Sequence, residues 1–308
     1  MTIIDDFLKY LSAEMGLAPL TVRAYGTDLR QWQRWMLGNA PESDFSPMSV
    51  TTDDLRLWVA HLVNQNDSPR TLRRKISAIN TFYRFLVKYK GLSRNPAADI
   101  ITAKTDKPLP VFIRSEELNS LLDTPYDTDD FIATRNHLIL TLLYTTGMRS
   151  QELLDLLDRN VDCNAGELKV HGKRNKDRII PFGEELSRMI THYRLLRDRE
   201  IPVTSGHLIV RADGRQMYRK GLYNIVHNSL LGAGVHGSRL SPHAMRHSFA
   251  TDMLNDGAEL NAVSNLMGHS SLASTQVYTH LSYRDLKQIY ATAHPRALKK
   301  GENYGSKN

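Results

Sequence analysis

The sequence predicts a mainly α protein in two domains: a four-helix N-terminal unit and a larger α+β unit carrying a small antiparallel sheet. Three observations predict it. Apolar residues recur at helical spacing through most long segments. One stretch alone, GELKVHGKRNKDRIIPF, alternates around a polar centre as a hairpin does. Between the two patterns, residues 101–111 (ITAKTDKPLPV) hold two prolines and no period, and a chain of 308 residues is long enough for a core on either side of them.

In the first domain, residues 1–100, Ile3, Ile4, Phe7, Leu8 and Leu11 form a helical stripe that Gly16 should stop. After Pro19, the positions Val22, Tyr25, Leu29, Trp32 and Trp35 or Met36 recur at the same spacing, with Arg23, Arg30 and Arg34 left to the other side and the tryptophans read as core. Residues 43–48 read as loop, and TTDDLRLWVAHLVNQN carries a threonine cap and first-turn acids ahead of Leu55, Trp58, Val59 and Leu62. The fourth helix falls within residues 68–94, where Arg70, Arg73, Arg74, Lys75, Arg84, Lys88, Lys90 and Arg94 occur without one acid. Its stripe of Leu72, Ile76, Ile79, Phe82, Tyr83 and Leu86 leaves Arg70, Arg74, Arg84 and Lys88 for an outer face, either against a DNA backbone or as a solvated basic surface.

Beyond the linker, the second domain covers residues 112–297. Ser115 is expected to cap a helix through Leu122, and a longer apolar helix follows from Phe131 to Tyr144, broken at Thr145-Thr146-Gly147. Arg149 then stands at the entrance to RSQELLDL, where one turn of helix would pair it with Glu152. In the hairpin, Gly172 and Asn175 can take positive φ in the turn and Pro181 suits a strand end; Lys173 and Lys176 taken alone describe a basic, solvated turn. Glu184 to Arg199 is an amphipathic helix, HLIVRADGRQM a short strand closed by an Asp-Gly turn, and Lys220 to Leu231 a further helix before a glycine-rich loop. Residues 298–308 read as a disordered tail.

The stretch from Ser241 to His280 carries the chemistry. Ser241 and Pro242 start a helix that puts His243 and Arg246 on one face of its opening turns, beside backbone N–H groups that favour an anion. That helix should end near Gly257, and a second, from Glu259, at Gly268, which leaves His269 just past a helix end. Ser270 or Ser271 can cap a third helix bearing Tyr278. Later still, Leu286, Ile289, Tyr290 and Ala293 make an apolar helical stripe ahead of Pro295.

Composition narrows the partners. A net charge of +7 and a pI near 9.4 favour a polyanion. Cys163 is the one cysteine, so intrachain disulfides and multi-cysteine zinc sites are excluded and a reducing cytoplasm is expected. Acids in MTIIDDFLKY oppose a secretory signal, and no apolar run is long enough for a membrane span.

HAMRHSFAT, LMGHSSLAST and QVYTH, preceded by TTGMRSQELLDL and GKRNKDR, together resemble the active-site half of the tyrosine recombinases, enzymes that break and rejoin DNA through a tyrosine nucleophile. The resemblance runs over residues 1–297, and the compact length and the ending YTHLSYRDLKQIYATAHPRA are most similar to the XerC/XerD branch. It implies an N-terminal domain that clamps DNA and a catalytic set of Arg149, Lys173, His243, Arg246, His269 and Tyr278. Lys173 carries a departure, since Arg174 stands where the family more often has glycine, and Lys176 is the fallback. The residue types suit phosphodiester exchange: guanidinium forks grip nonbridging oxygens, and a phenol with a pKa of about 10 needs positive charge and a proton acceptor such as His243 to attack. Lys173 would protonate the departing 5′-oxygen and His269 would hydrogen-bond the phosphate. No cofactor and no metal is implied. The expected partner is a double-stranded DNA recombination site, bound by a tetramer, homomeric or shared with a related recombinase, in which the terminal helix docks on a neighbouring subunit. Resolution of chromosome dimers at cell division is the first role implied; integration of a mobile element, a type IB topoisomerase and a non-catalytic DNA-binding protein are the alternatives.

Overall fold

The computed structural model describes residues 2–38, 40–41, 45–100, 112–172, 176–201, 205–235, 240–268 and 283–297. The chain divides into two compact units, Met1–Pro108 and Leu109–Asn308. The linker expected at 101–111, the hairpin turn at 173–175, the segment 269–282 with His269 and Tyr278, and the tail lie outside the described residues.

Among the described residues the first unit has four α-helices, α1 (Ile3–Ala13), α2 (Pro19–Leu37), α3 (Thr52–Asn64) and α4 (Pro69–Tyr89). Reciprocal capping boxes start α1 (Thr2 with Asp5) and α3 (Thr51 with Asp54), while Ser68 and Pro69 start α4, so three of the four entrances are written into local side chains. Phe7, Leu29, Trp32, Trp58, Phe82, Tyr83 and Leu86 close the core at 0–1% exposure, so Trp32 and Trp58 are packing residues, and Trp35 packs against this core partly buried. On α4, Arg70, Arg74, Arg84 and Lys88 are exposed, as the helical spacing requires. Arg74 is nevertheless bound to the buried carboxylate of Asp28. Lys75, also in the basic run, is buried and pairs with Asp67 at 2.6 Å.

The second unit is built around α6 (Phe131–Thr146), which is buried on almost every side and packs against α8 (Glu184–Glu200), α9 (Arg219–Gly232) and α10 (Pro242–Asn255). Its threonines fit this setting because Thr141, Thr145 and Thr146 return their hydroxyls to carbonyls one turn back. Gly147 caps α6 at φ +58°, and a Cβ there would run into the Phe249 ring. Also in this unit are α5 (Ser115–Asp123), α7 (Ser150–Leu154), α11 (Leu260–Met267) and α12 (Tyr283–Ala293). The sheet order is β1-β2-β3, antiparallel, with β1 Val161–Asp162, β2 Glu167–Gly172 and β3 Lys176–Pro181, so Pro181 ends an edge strand.

Four expectations change. Ser115 is the first residue of α5 rather than its cap, because its hydroxyl is drawn to Asp252 at 2.7 Å. Gly172 ends β2 opposite Lys176 and belongs to the ladder, not to the turn. HLIVRADGRQM forms only isolated bridges, Leu157 with His207 and Val210 with Gln216, although Gly214 does turn at φ +75°. Finally, the stripe of the terminal helix docks within its own chain: Tyr290 and Ala293 are buried, and Leu286 and Ile289 pack with them against Phe249, Met253, Val263 and Leu266. Arg296 fastens the end by ion pairs to Asp123 at 3.0 Å and Glu185 at 2.9 Å.

His294 follows that helix, 1% exposed and stacked on Tyr290. Burial pushes its imidazole down to about 4 from an ordinary 6.5. Between those values the unfolded chain takes up a proton that the folded chain refuses, so stability falls as pH drops through this window, by about 3 kcal/mol. Denaturant melts between pH 7 and 4 should show this slope, and His294→Phe, which keeps a ring among Tyr144, Phe249 and Tyr290, should flatten it. An unchanged slope would place the acid sensitivity in other groups.

Candidate active site

Arg149 immediately precedes α7. Its N–H donates to Glu152 Oε2 at 2.7 Å and its Nη1 to Oε1 at 2.7 Å, so the local pairing that the sequence allowed is made. It does not exhaust the guanidinium, whose Nη2 reaches the carbonyl of Gly268 at 2.6 Å, 119 residues along the chain. Gly268 closes α11 in the left-handed conformation, and its carbonyl would otherwise lack a helical partner.

Arg246 reaches the same turn from α10. Ser241 caps α10 through the N–H of Ala244, which fixes Arg246 in the second turn, buried at 3% exposure. Its Nη1 donates to the carbonyl of Gly147 and its Nη2 to that of Met267 at 2.6 Å. Burial, then the positive charges of Arg149 and Arg178, push this guanidinium down to about 9 against the attraction of Glu152. His243 lies one turn earlier on α10, exposed, its ring set edge-on to His247 at 5.2 Å.

The sequence motifs do not single out Arg178, and they mark Glu152 only as a partner for Arg149. Arg178 lies on β3 opposite Val170, on the face where Leu168 and Ile180 are buried. Period-two alternation therefore marks it as an inward arginine, which needs a partner. That partner is Glu152, gripped by Nη1 at 2.8 Å and Nη2 at 2.8 Å, while Nε donates to the carbonyl of Leu266 at 2.7 Å. Burial opposes the charge on Glu152, but hydrogen bonds and attraction from Arg178, with those from Arg149, hold its carboxyl down at about 2.

The structure thus joins Arg149 and Arg246, from the expected set, on neighbouring carbonyls just ahead of His269. Lys173, His269 and Tyr278 fall outside the described residues, and of Lys176 only the backbone, at the start of β3, is described. Among the described residues no group of three or more His, Cys, Asp or Glu side chains is arranged to hold a metal ion, and no helix is long and apolar enough to cross a membrane.

Two family models match. Residues 111–285 match the phage integrase family, and residues 4–90 match the N-terminal SAM-like domain of phage integrases. This chain belongs to the phage integrase family of tyrosine recombinases. Its sequence is XerD-like: it is 36% identical over 299 residues to the tyrosine recombinase XerD of Staphylococcus haemolyticus, covering 96% of this chain and 99% of that one. It is 33% identical to XerD of Staphylococcus aureus, over the same shares. Two solved structures share the fold. The XerH recombinase in its post-cleavage complex on a palindromic difH substrate gives a TM-score of 0.69 at 20% identity, covering 94% of this chain and 83% of that one. A lambda integrase dimer bound to a COC′ core site gives 0.66 at 16% identity, covering 90% and 98%.

Removing the Glu152 carboxylate would leave Arg178, largely withdrawn from water, without its ion-pair partner. Glu152→Ala should therefore cost about 3–5 kcal/mol of folding stability, the penalty of breaking a buried ion pair from one side. Urea denaturation measures it, and a loss below about 1 kcal/mol, typical of an exposed pair, would mean that water screens this cluster.

Proposed function

We propose that this chain is a site-specific DNA recombinase that cuts and rejoins duplex DNA through a 3′-phosphotyrosyl intermediate. The convergence of Arg149 and Arg246 on the last turn of α11 carries the reading. Two guanidiniums there, with Arg178 beside them, face one carboxylate, and the charge left over suits a phosphodiester. Tyr278 Oη would attack the phosphorus as its proton passes to His243, the bond from phosphorus to the 5′-oxygen would break, and Lys173 would protonate that oxygen. Arg149, Arg246 and His269 would hold the nonbridging oxygens. The new ester conserves the energy of the broken bond, so a 5′-hydroxyl from a second duplex can reverse the step without ATP or water. The exposed Arg70, Arg84 and Lys88 of α4 would follow the DNA backbone. Arg74 is the weakest member of that set, because it is already engaged by Asp28.

The kinship to XerD supports a role in resolving chromosome dimers in the cytoplasm, by a tetramer of this chain alone or with a related recombinase. Mapping the bound genomic DNA tests that role: a single chromosomal site supports it, and mobile-element ends would replace it with integration.

Tyr278→Phe should bind the mapped site as tightly as the parent and form no covalent adduct on a nicked copy of it; an adduct would remove Tyr278 from the mechanism. Neutralising Arg70, Arg84 and Lys88 together should flatten the dependence of log K on log salt by about 0.9 for each phosphate that the protein no longer neutralises, equally on all sequences. An unchanged slope would return α4 to a solvated face.

A further inference from the structure

We propose that Arg178 is a positioning residue of this active site, fixing the Arg149 guanidinium for the scissile phosphate by joining the lysine-bearing hairpin, Glu152 and the end of α11. The inference rests on the function proposed above and adds a residue to it. Arg178 uses its whole fork. Nη1 and Nη2 hold the two oxygens of Glu152 at 2.8 Å each, and Nε holds the carbonyl of Leu266 at 2.7 Å. The same carboxylate accepts from the backbone N–H and from Nη1 of Arg149, both at 2.7 Å. Glu152 is therefore shared between the two arginines, and its position is set from β3 as much as from α7. Arg178 is 13% exposed, and the space beside it is accounted for: a Cβ on Gly268 would fall 2.9 Å from its Nη1. Glycine at 268 thus serves both the left-handed cap and the close approach of Arg178.

The chemistry follows from geometry. With Arg178 gone, Glu152 would keep one of its two guanidinium partners, and Arg149 would be drawn onto both carboxylate oxygens and away from the turn that carries Gly268. Lysine could restore the charge, but it offers neither the parallel pair of bonds nor the third bond to Leu266. A displaced guanidinium would weaken the grip on the phosphate charge and leave the DNA-binding surfaces of the chain untouched.

The test uses the full chain and a duplex of the mapped site, nicked beside the scissile bond so that the covalent adduct accumulates. A second duplex is identical except that a methyl group replaces one nonbridging oxygen, which removes the charge at that phosphate. Arg178→Met should bind the first duplex as the parent does and form adduct about a hundredfold more slowly, the scale of a misplaced catalytic group. On the neutral duplex its deficit should shrink to within about threefold of the parent, as should that of Arg149→Ala, which the same scale sets as the reference for a lost grip. Parental rates for Arg178→Met beside a slow Arg149→Ala overturn the proposal and leave the function standing. Equal deficits on both duplexes also overturn it, since a merely structural loss ignores the phosphate charge. Should Arg149→Ala cleave both duplexes at the parental rate, the proposed function fails and this inference with it. If Arg178→Met does not fold, Arg178→Lys carries the test: slow adduct formation relieved on the neutral duplex supports the proposal, and parental rates overturn it.

Discussion

The last turn of α11 presents three successive carbonyls, those of Leu266, Met267 and Gly268, and each takes a hydrogen bond from a different arginine: Arg178, Arg246 and Arg149 in that order. Helix ends leave such carbonyls unsatisfied and partly negative, and a short helix has few other means of satisfying them inside a fold. Because the three donors come from β3, from α10 and from the entrance to α7, this one turn ties together parts of the chain that share no local structure. The segment carrying His269 starts where those bonds end.

Burying Arg246 and setting Arg149 and Arg178 near it costs electrostatic energy, visible in its depressed proton affinity, which burial lowers first and the two neighbouring positive charges lower further. Glu152 offsets part of that repulsion, and the apolar body of the unit, with α6 buried through its length, supplies the stability that such a cluster needs. On the function proposed above, a site held in this state would be prepared for an anion. An arriving phosphodiester would complete the charge balance without the protein having to reorganise, which is the condition under which fixed dipoles and charges stabilise a transition state most.

The terminal helix meets a related constraint. An apolar stripe must be covered, and here Tyr290 and Ala293 are covered by the same chain, over a surface formed by α10 and α11. Since α11 also ends in the three carbonyls, the packing of α12 and the placement of the arginines press on one short element from two sides.

Much of this is local and therefore legible in the sequence. Ser241-Pro242 sets the start of α10 and so the depth of Arg246; Gly147 and Gly268 sit where only a left-handed residue ends a helix without strain; the acid-free run of α4 exposes the residues that its spacing exposes. The motifs carried the family, and they order the residues proposed for catalysis. Tertiary structure alone decided what depends on distant partners: that Arg74 serves Asp28, that Ser115 turns to Asp252 and gives up its cap, that the terminal stripe is covered in cis. Arg178 stands between the two. Alternation along β3 already points it inward, but an inward arginine becomes meaningful only when folding brings a buried carboxylate and the end of a helix to meet it, and no local pattern encodes hydrogen bonds made across 26 and 88 residues.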